Sequence, residues 1–160
     1  MADFGEWIEH LSWISYMSST AWLFSSVSVV HYFSFMVLVG TAVMVDLRVL
    51  GLAATRKPLA QIAEQLYPWM WVAFWLAIIS GSLEAATDAG DYLPNFWYEL
   101  KIFMVIAALI FVVIVQRGIP KWAQLPSIPV GAKVVAAISV VLWIGAILAG
   151  VELPAITGLG

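Results

Sequence analysis

Residues 95–117, NFWYELKIFMVIAALIFVVIVQR, decide the fold class of this 160-residue chain. Fifteen residues without a formal charge, 102–116, follow Lys101 in this stretch. Asp, Glu, Lys and Arg are also absent from three other runs, which are residues 10–45, 65–83 and 134–151. Since about 20 apolar residues cross the hydrocarbon core of a bilayer, the four runs and their uncharged flanks predict four transmembrane helices.

The composition agrees with a membrane protein. Hydrophobic residues make up 63% of the chain and charged residues 11%, where ordinary soluble domains have roughly 25% charged residues. The alternative is a very apolar soluble bundle, which the lengths of the runs disfavour. The absence of cysteine excludes disulfides, iron–sulfur clusters, thiol catalysis and covalent c-type haem. A net charge of −3 offers no basic face for nucleic acid, and the two histidines predict no metal cluster.

The architecture predicted from these patterns is an all-α integral membrane protein with one domain, residues 1–160. Four transmembrane helices at about 20–45, 66–87, 95–117 and 132–152 form an up-down bundle. Apolar residues at helical spacing in residues 4–17 predict an amphipathic helix in the membrane interface, with a plain extension of helix 1 as the alternative. Ser18, Ser19 and Thr20 offer a break and an N-cap before helix 1.

Prolines and small residues suggest where the helices end and approach each other. Pro68 either starts helix 2 or kinks it, and Pro94 with Asn95 opens helix 3. We expect helix 3 to end near Arg117, because three prolines in the following connection need no regular structure. The Ala146-x-x-x-Gly150 spacing in helix 4 permits close contact with another helix.

The basic residues predict an orientation in the membrane. Six of the seven Lys and Arg residues lie in the connections after helix 1 and after helix 3, which four crossings place on one side. The positive-inside rule assigns that side to the cytoplasm, so both termini are expected on the periplasmic side of a bacterial inner membrane. The acidic start, MADFGEWIEH, does not have the basic region of a signal peptide, so we expect the first helix to be retained.

Four residues are predicted to anchor the bundle at the cytoplasmic interface. Asp46 and Arg48 lie at the cytoplasmic mouth of helix 1, where anchoring and ion pairing are their expected roles. Trp69 and Trp71 lie in the cytoplasmic half of helix 2, where an aromatic belt is expected.

Three ionisable or ligating residues lie at membrane depth. The 1.5 Å rise per residue puts His31 about 13 Å and Lys101 about 9 Å below the outer surface. Glu84 and Lys101 are nearly symmetric about the loop between helices 2 and 3, so they should lie at similar heights. A lone charge in hydrocarbon costs about 2.5–3.5 kcal/mol, so Lys101 either pairs with Glu84 or Glu99, or faces the bundle interior and meets an anion such as a haem propionate.

His31 has two interpretations. Ser28, His31 and Phe35 share one stripe of helix 1. The imidazole either forms a hydrogen bond with a neighbouring helix or is an axial ligand of haem iron, a role that histidine often fills. A second axial ligand could be His10, Met36, Met104 or Lys101, or the site could stay open.

A resemblance follows from these residues and from three motifs. The motifs are DLRVLG at residues 46–51, PWMWVAFWLAIISG at 68–81 and FWYELKIFMV at 96–105, together with His31 and Gly40 in helix 1. Over residues 20–150 the chain resembles bacterial four-helix membrane proteins related to CopD and to the HemJ type of protoporphyrinogen oxidase. It is most similar to a branch of small proteins of unknown function. The resemblance implies haem b as a candidate cofactor, with His31 as its ligand and Lys101 as the partner of a propionate.

Three functions are compatible with the sequence. The leading hypothesis is a non-catalytic accessory or stabilising subunit of a larger, energy-converting membrane complex, in contact with lipid and other membrane subunits. It is favoured by the nine tryptophans and by the end LPAITGLG, residues 153–160, which would fray unless a partner held it. The second is a b-type haem protein in electron transfer or porphyrin oxidation. The third is a small-solute transporter, for which only Pro68 suggests a broken helix.

Overall fold

The protein is an all-α bundle. The computed structural model describes the backbone of residues 2–157 and the side chains of residues 4–150, and this part of the chain contains no strand. Its helices are α1 (Ala2–Glu9), α2 (Ser12–Ser19), α3 (Ala21–Leu50), α4 (Leu59–Thr87), α5 (Ala89–Tyr92), α6 (Phe96–Trp122) and α7 (Val130–Thr157). Four of them, α3, α4, α6 and α7, are long and apolar enough to cross a membrane. The predicted fold class is therefore confirmed.

Two helical hairpins form the bundle. Helix α3 packs along α4, α6 packs along α7, and the hairpins join through a contact between α3 and α7. Helices α4 and α6 contact each other at few positions, so the bundle is less tightly closed on that side. We call the end with α1, α2 and α5 the cap end, and the end with residues 51–58 and 123–129 the connection end.

The best-packed part of the bundle lies toward the connection end. Its buried side chains include Val45, Val49, Leu59, Ile62, Met70, Val112, Val115 and Trp143. Buried alanines, which are Ala42, Ala63, Ala73, Ala108, Ala132 and Ala136, alternate with these larger residues. Small residues let the helix backbones approach, and the larger ones fill the remaining space.

The N-terminal segment folds as two short helices and not as one. The chain bends at residues 10–11, α1 packs on α5, and α2 contacts α3 and α4. A Cβ on Gly5 would lie 2.7 Å from the carbonyl carbon of Ala89, and Gly90 donates its backbone N–H to Glu9 Oε1 at 2.6 Å. Ile14 and Met17 of α2 are buried. The segment therefore covers the cap end; its place in a membrane interface stays a prediction.

Helix breaks agree with the sequence patterns in some places only. Thr20, with φ −104° and ψ 91°, separates α2 from α3, but its side chain forms no capping hydrogen bond. The Asn95 side chain does cap α6, since Oδ1 accepts from the Trp97 N–H at 2.9 Å. Helix α3 continues to Leu50 and ends at Gly51, whose φ of 80° is the left-handed conformation that glycine adopts readily.

Two predictions about proline are corrected. Pro68 lies inside α4, which begins nine residues earlier at Leu59 and continues to Thr87. The alternative in which Pro68 starts the helix is therefore wrong, and a kink at Pro68 stays a prediction. Helix α6 does not end near Arg117 but continues through Pro120 to Trp122, whose ring packs over Gly118. The side chains of the terminal segment 153–160, which a partner was expected to hold, lie outside the described residues.

Candidate functional site

A cavity of about 430 Å³ lies between α3, α4 and α6 near the cap end. Its volume is within the range of about 300–1,000 Å³ that is typical of ligand and cofactor sites. It exists where α4 and α6 stay apart, and Gly150 of α7 forms part of its wall. The apolar lining includes Phe24, Phe35, Leu38, Phe74, Ile102 and Val105, and the polar lining includes Ser28, His31, Tyr32, Glu84, Asp88, Tyr92, Tyr98 and Lys101.

The structure brings the three predicted residues of the membrane interior to this one cavity. His31 reaches it from α3, Glu84 from α4 and Lys101 from α6. Ser28 and Phe35, which share the His31 stripe, line it as well. Glu99, the other proposed partner of Lys101, is exposed on α6. The roles of these residues in binding stay predictions.

Helix α4 holds the His31 ring by a hydrogen bond to one ring nitrogen and by a close contact with the ring. Its Nδ1 lies 3.1 Å from the carbonyl oxygen of Ala77, and Ser80 Oγ is 3.4 Å from the same nitrogen. Because a carbonyl oxygen can only accept, Nδ1 carries the proton and donates it. The predicted hydrogen bond to a neighbouring helix is therefore confirmed. In a neutral ring, Nε2 then has a free lone pair, which is the arrangement found in metal-ligating histidines.

Glycines on α4 and α7 make room for the site. A Cβ on Gly81 would lie 2.6 Å from His31 Cε1, so the imidazole ring rests directly against the α4 backbone. A Cβ on Gly150 would lie 3.3 Å from Lys101 Cε and 3.4 Å from Nζ. Sequence reasoning singled out Gly150 only as a helix-packing residue and missed Gly81. The run of small residues Ser80, Gly81 and Ser82 is the signal that could have indicated a close approach here.

The charges at the cavity lie near one another. Glu84 from α4 and Lys101 from α6 carry opposite formal charges and line the cavity together with His31. A direct ion pair between Glu84 and Lys101 stays a prediction. At the cap end, the rings of Tyr92 and Tyr98 lie 5.6 Å apart. Burial, together with the nearby Asp88 carboxylate, raises the pKa of Tyr92, so its hydroxyl stays protonated and can donate to a ligand.

Three of the proposed second axial ligands do not reach the cavity. His10 is exposed at the bend between α1 and α2. Met36 is 65% exposed on α3, and Met104 packs with its Sδ against Gly145 of α7. Among the candidates named from the sequence, Lys101 alone shares the cavity with His31.

The predicted interface anchors divide into two groups. Asp46 is 1% exposed inside the bundle, so its assignment as an interface anchor is wrong; α3 extends beyond it and α7 covers it. Arg48 donates from Nε and Nη2 to the Lys57 carbonyl at 3.0 and 2.9 Å, which ties α3 to the following connection. Trp69 is 67% exposed and can serve as an anchor, whereas Trp71 is half-buried against Phe74.

The fold and the cavity together define a class of protein. It is an all-α protein whose four long helices have the length and hydropathy of a multi-pass membrane protein. Ionisable side chains surround a cavity between these helices. The chain belongs to a family of unknown function (DUF6644), whose model matches residues 4–153 and so covers α3, α4, α6 and most of α7. No curated protein and no solved structure matches the chain.

Proposed function

We propose that this protein binds a membrane-soluble cofactor in the cavity, and that haem b is the cofactor. The observation that supports this most strongly is the state of His31, whose Nδ1 is held by the Ala77 carbonyl while the ring lines the cavity. With Nδ1 held in this way, Nε2 is the ring nitrogen left to ligate a metal, and the ring is already ordered by its hydrogen bond. We therefore place the hypothesis of a b-type haem protein ahead of the subunit hypothesis.

The residues around the cavity fit a haem group in three respects. His31 offers an imidazole nitrogen, the phenylalanines Phe24, Phe35 and Phe74 offer apolar walls, and Lys101 offers a cation for a propionate. Glu84 lines the cavity from α4, across from Lys101 on α6, and would share the lysine with that propionate. A bound haem would supply one-electron chemistry, while these side chains would orient it and exclude water.

The test is the absorption spectrum of protein purified in mild detergent from haem-replete cells. We expect a Soret band in the wild-type protein that is lost in His31→Ala and weakened in Lys101→Met. The matched control is His10→Ala, because His10 is exposed and lies away from the cavity. Absence of a Soret band in the wild type, or an undiminished band in His31→Ala, would contradict the proposal.

A second candidate function, the accessory subunit, is favoured by the free face of α6. Phe103, Ile106, Ile110 and Ile114 are exposed along this helix, next to a shallow apolar groove that ends at Arg117. The face is open because α6 packs mainly on α7, and a partner helix or lipid would bury it. Purification of the native protein in mild detergent tests the subunit hypothesis. A protein that is recovered in full yield without other subunits is not a stable subunit of a larger complex.

The membrane and orientation are also proposals. We infer a bacterial inner membrane with both termini on the periplasmic side. Arg48, Arg56, Lys57, Arg117, Lys121 and Lys133 all lie at or near the connection end. This common location supports a cytoplasmic connection end by the positive-inside rule.

A further inference from the structure

Three buried polar atoms lack a hydrogen-bond partner in the part of the chain that the structure describes. They are Asp46 Oδ2, Ser139 Oγ and Trp143 Nε1, and their side chains are at most 1% exposed. Buried polar groups in proteins are nearly always paired, so each exception requires an explanation, and a bound water or ion is one of them. None of the three belongs to the His31 cavity, whose lining does not include them.

Helices α3, α4 and α7 enclose the Asp46 carboxyl group. It faces the Ser139 hydroxyl of α7, and Trp143 lies one turn further along the same face of that helix. Tyr67 of α4 is buried in the same region and is the titratable side chain that faces Asp46 from another helix. The serine and tryptophan side chains do not titrate in the accessible range, so they cannot balance a charge.

A positive charge for Asp46 is not supplied by the nearby basic residues. The Arg48 guanidinium is held by the Lys57 carbonyl, and Arg117 and Lys133 are exposed. An uncompensated carboxylate in a low-dielectric interior costs several kcal/mol. A single carboxylate balances a single positive charge. The described residues contain no cluster of three or more His, Asp or Glu side chains that would suit a divalent ion.

We propose that Asp46 and Ser139 form a binding site for one monovalent cation, which is either a proton or a sodium ion. In both cases the cation neutralises the carboxylate, and the serine oxygen completes the hydrogen bonds or the coordination that Oδ2 lacks. The site is independent of the haem proposal. Fifteen residues of α3 separate Asp46 from His31, which is about 22 Å along a helix.

The experiment measures the unfolding temperature of the purified protein in two series. The first varies the pH, and the second varies the NaCl concentration, with choline chloride at the same ionic strength as the comparison salt. A sodium site predicts a saturable stabilisation by NaCl that choline chloride does not give. A proton site predicts no difference between the salts, a pH-dependent unfolding temperature, and an infrared carbonyl band of a protonated carboxylic acid in sodium-free buffer at neutral pH. Asp46→Asn should abolish whichever response is found, and Glu64→Gln, which removes an exposed carboxylate of α4, should retain it.

A second variant covers the case in which Asp46→Asn does not fold. Ser139→Ala retains the carboxylate and removes one oxygen, so it should weaken sodium binding about tenfold, or shift the carboxylic-acid band. The proposal is overturned if the wild-type protein shows neither a sodium response nor a carboxylic-acid band. It is also overturned if the responses of wild type, Asp46→Asn and Ser139→Ala are the same.

Discussion

The ionisable groups at the two ends of the bundle have different surroundings. At the cap end, His31, Glu84 and Lys101 from three helices surround a cavity of about 430 Å³. Toward the connection end, Asp46 is 1% exposed between packed helices and does not line this cavity. In our proposals, the open end binds a large ligand and the packed end binds a single small cation.

The residues on the helix faces explain why one end is open. Toward the connection end, alanines such as Ala63, Ala108 and Ala136 bring the helices together. At the cap end, the aromatic residues Phe24, Phe74 and Tyr98 line the space between the helices. Small residues permit close approach, whereas rings that do not interdigitate leave space between helix axes.

The largest effect should come from a truncation in the packed region. Met70 is fully buried there, so Met70→Ala should leave a cavity and lower the free energy of unfolding by about 2–5 kcal/mol. Met36→Ala removes the same atoms from an exposed position and should change that free energy much less. Chemical unfolding in mixed micelles, followed by tryptophan fluorescence, measures both. Equal effects of the two variants would mean that the packed region is not as tight as described.

A smaller effect is expected where the site rests on the α4 backbone. Gly81→Ala places a Cβ 2.6 Å from His31 Cε1, so the ring must move away from the Ala77 carbonyl. We expect a loss of about 1–3 kcal/mol in the free energy of unfolding and a loss of the haem spectrum. Gly40→Ala is the control, because a Cβ there meets nothing within 4 Å. A Gly81→Ala protein that equals this control in stability and spectrum would show that His31 is not held against α4.

The smallest effect should appear at the lysine. Gly150→Ala places a Cβ 3.3 Å from Lys101 Cε, and the flexible side chain can yield by a few tenths of an ångström. The unfolding free energy should therefore stay within about 0.5 kcal/mol of that of Gly40→Ala. Thermal unfolding of the two variants side by side tests this expectation. A loss as large as that of Gly81→Ala would mean that Lys101 is rigidly fixed, for example by a direct ion pair with Glu84.

The sequence predicted the features that depend on position along a helix. Run length predicted the four long helices, and the helical rise placed Glu84 and Lys101 near the height at which both line the cavity. Features that depend on a neighbouring helix were not predictable. Asp46 looked like an interface residue because helix 1 was expected to end at about Val45, yet α7 presents Ser139 to it and buries it. The contact between His31 and Gly81 likewise depends on how α3 and α4 are rotated against each other.

The gap between α4 and α6 determines the units in which the affinity of the cavity for a ligand must be expressed. Ile78 of α4 and Ile102 of α6 both line the cavity and are 43% and 40% exposed, so in a membrane the gap between these helices would open toward lipid. For an amphiphile that dissolves in the bilayer, occupancy is then governed by molecules of ligand per molecule of lipid and not by molarity in the buffer. Adding empty vesicles at constant total ligand should dilute the ligand and lower occupancy, even though the protein itself is unchanged.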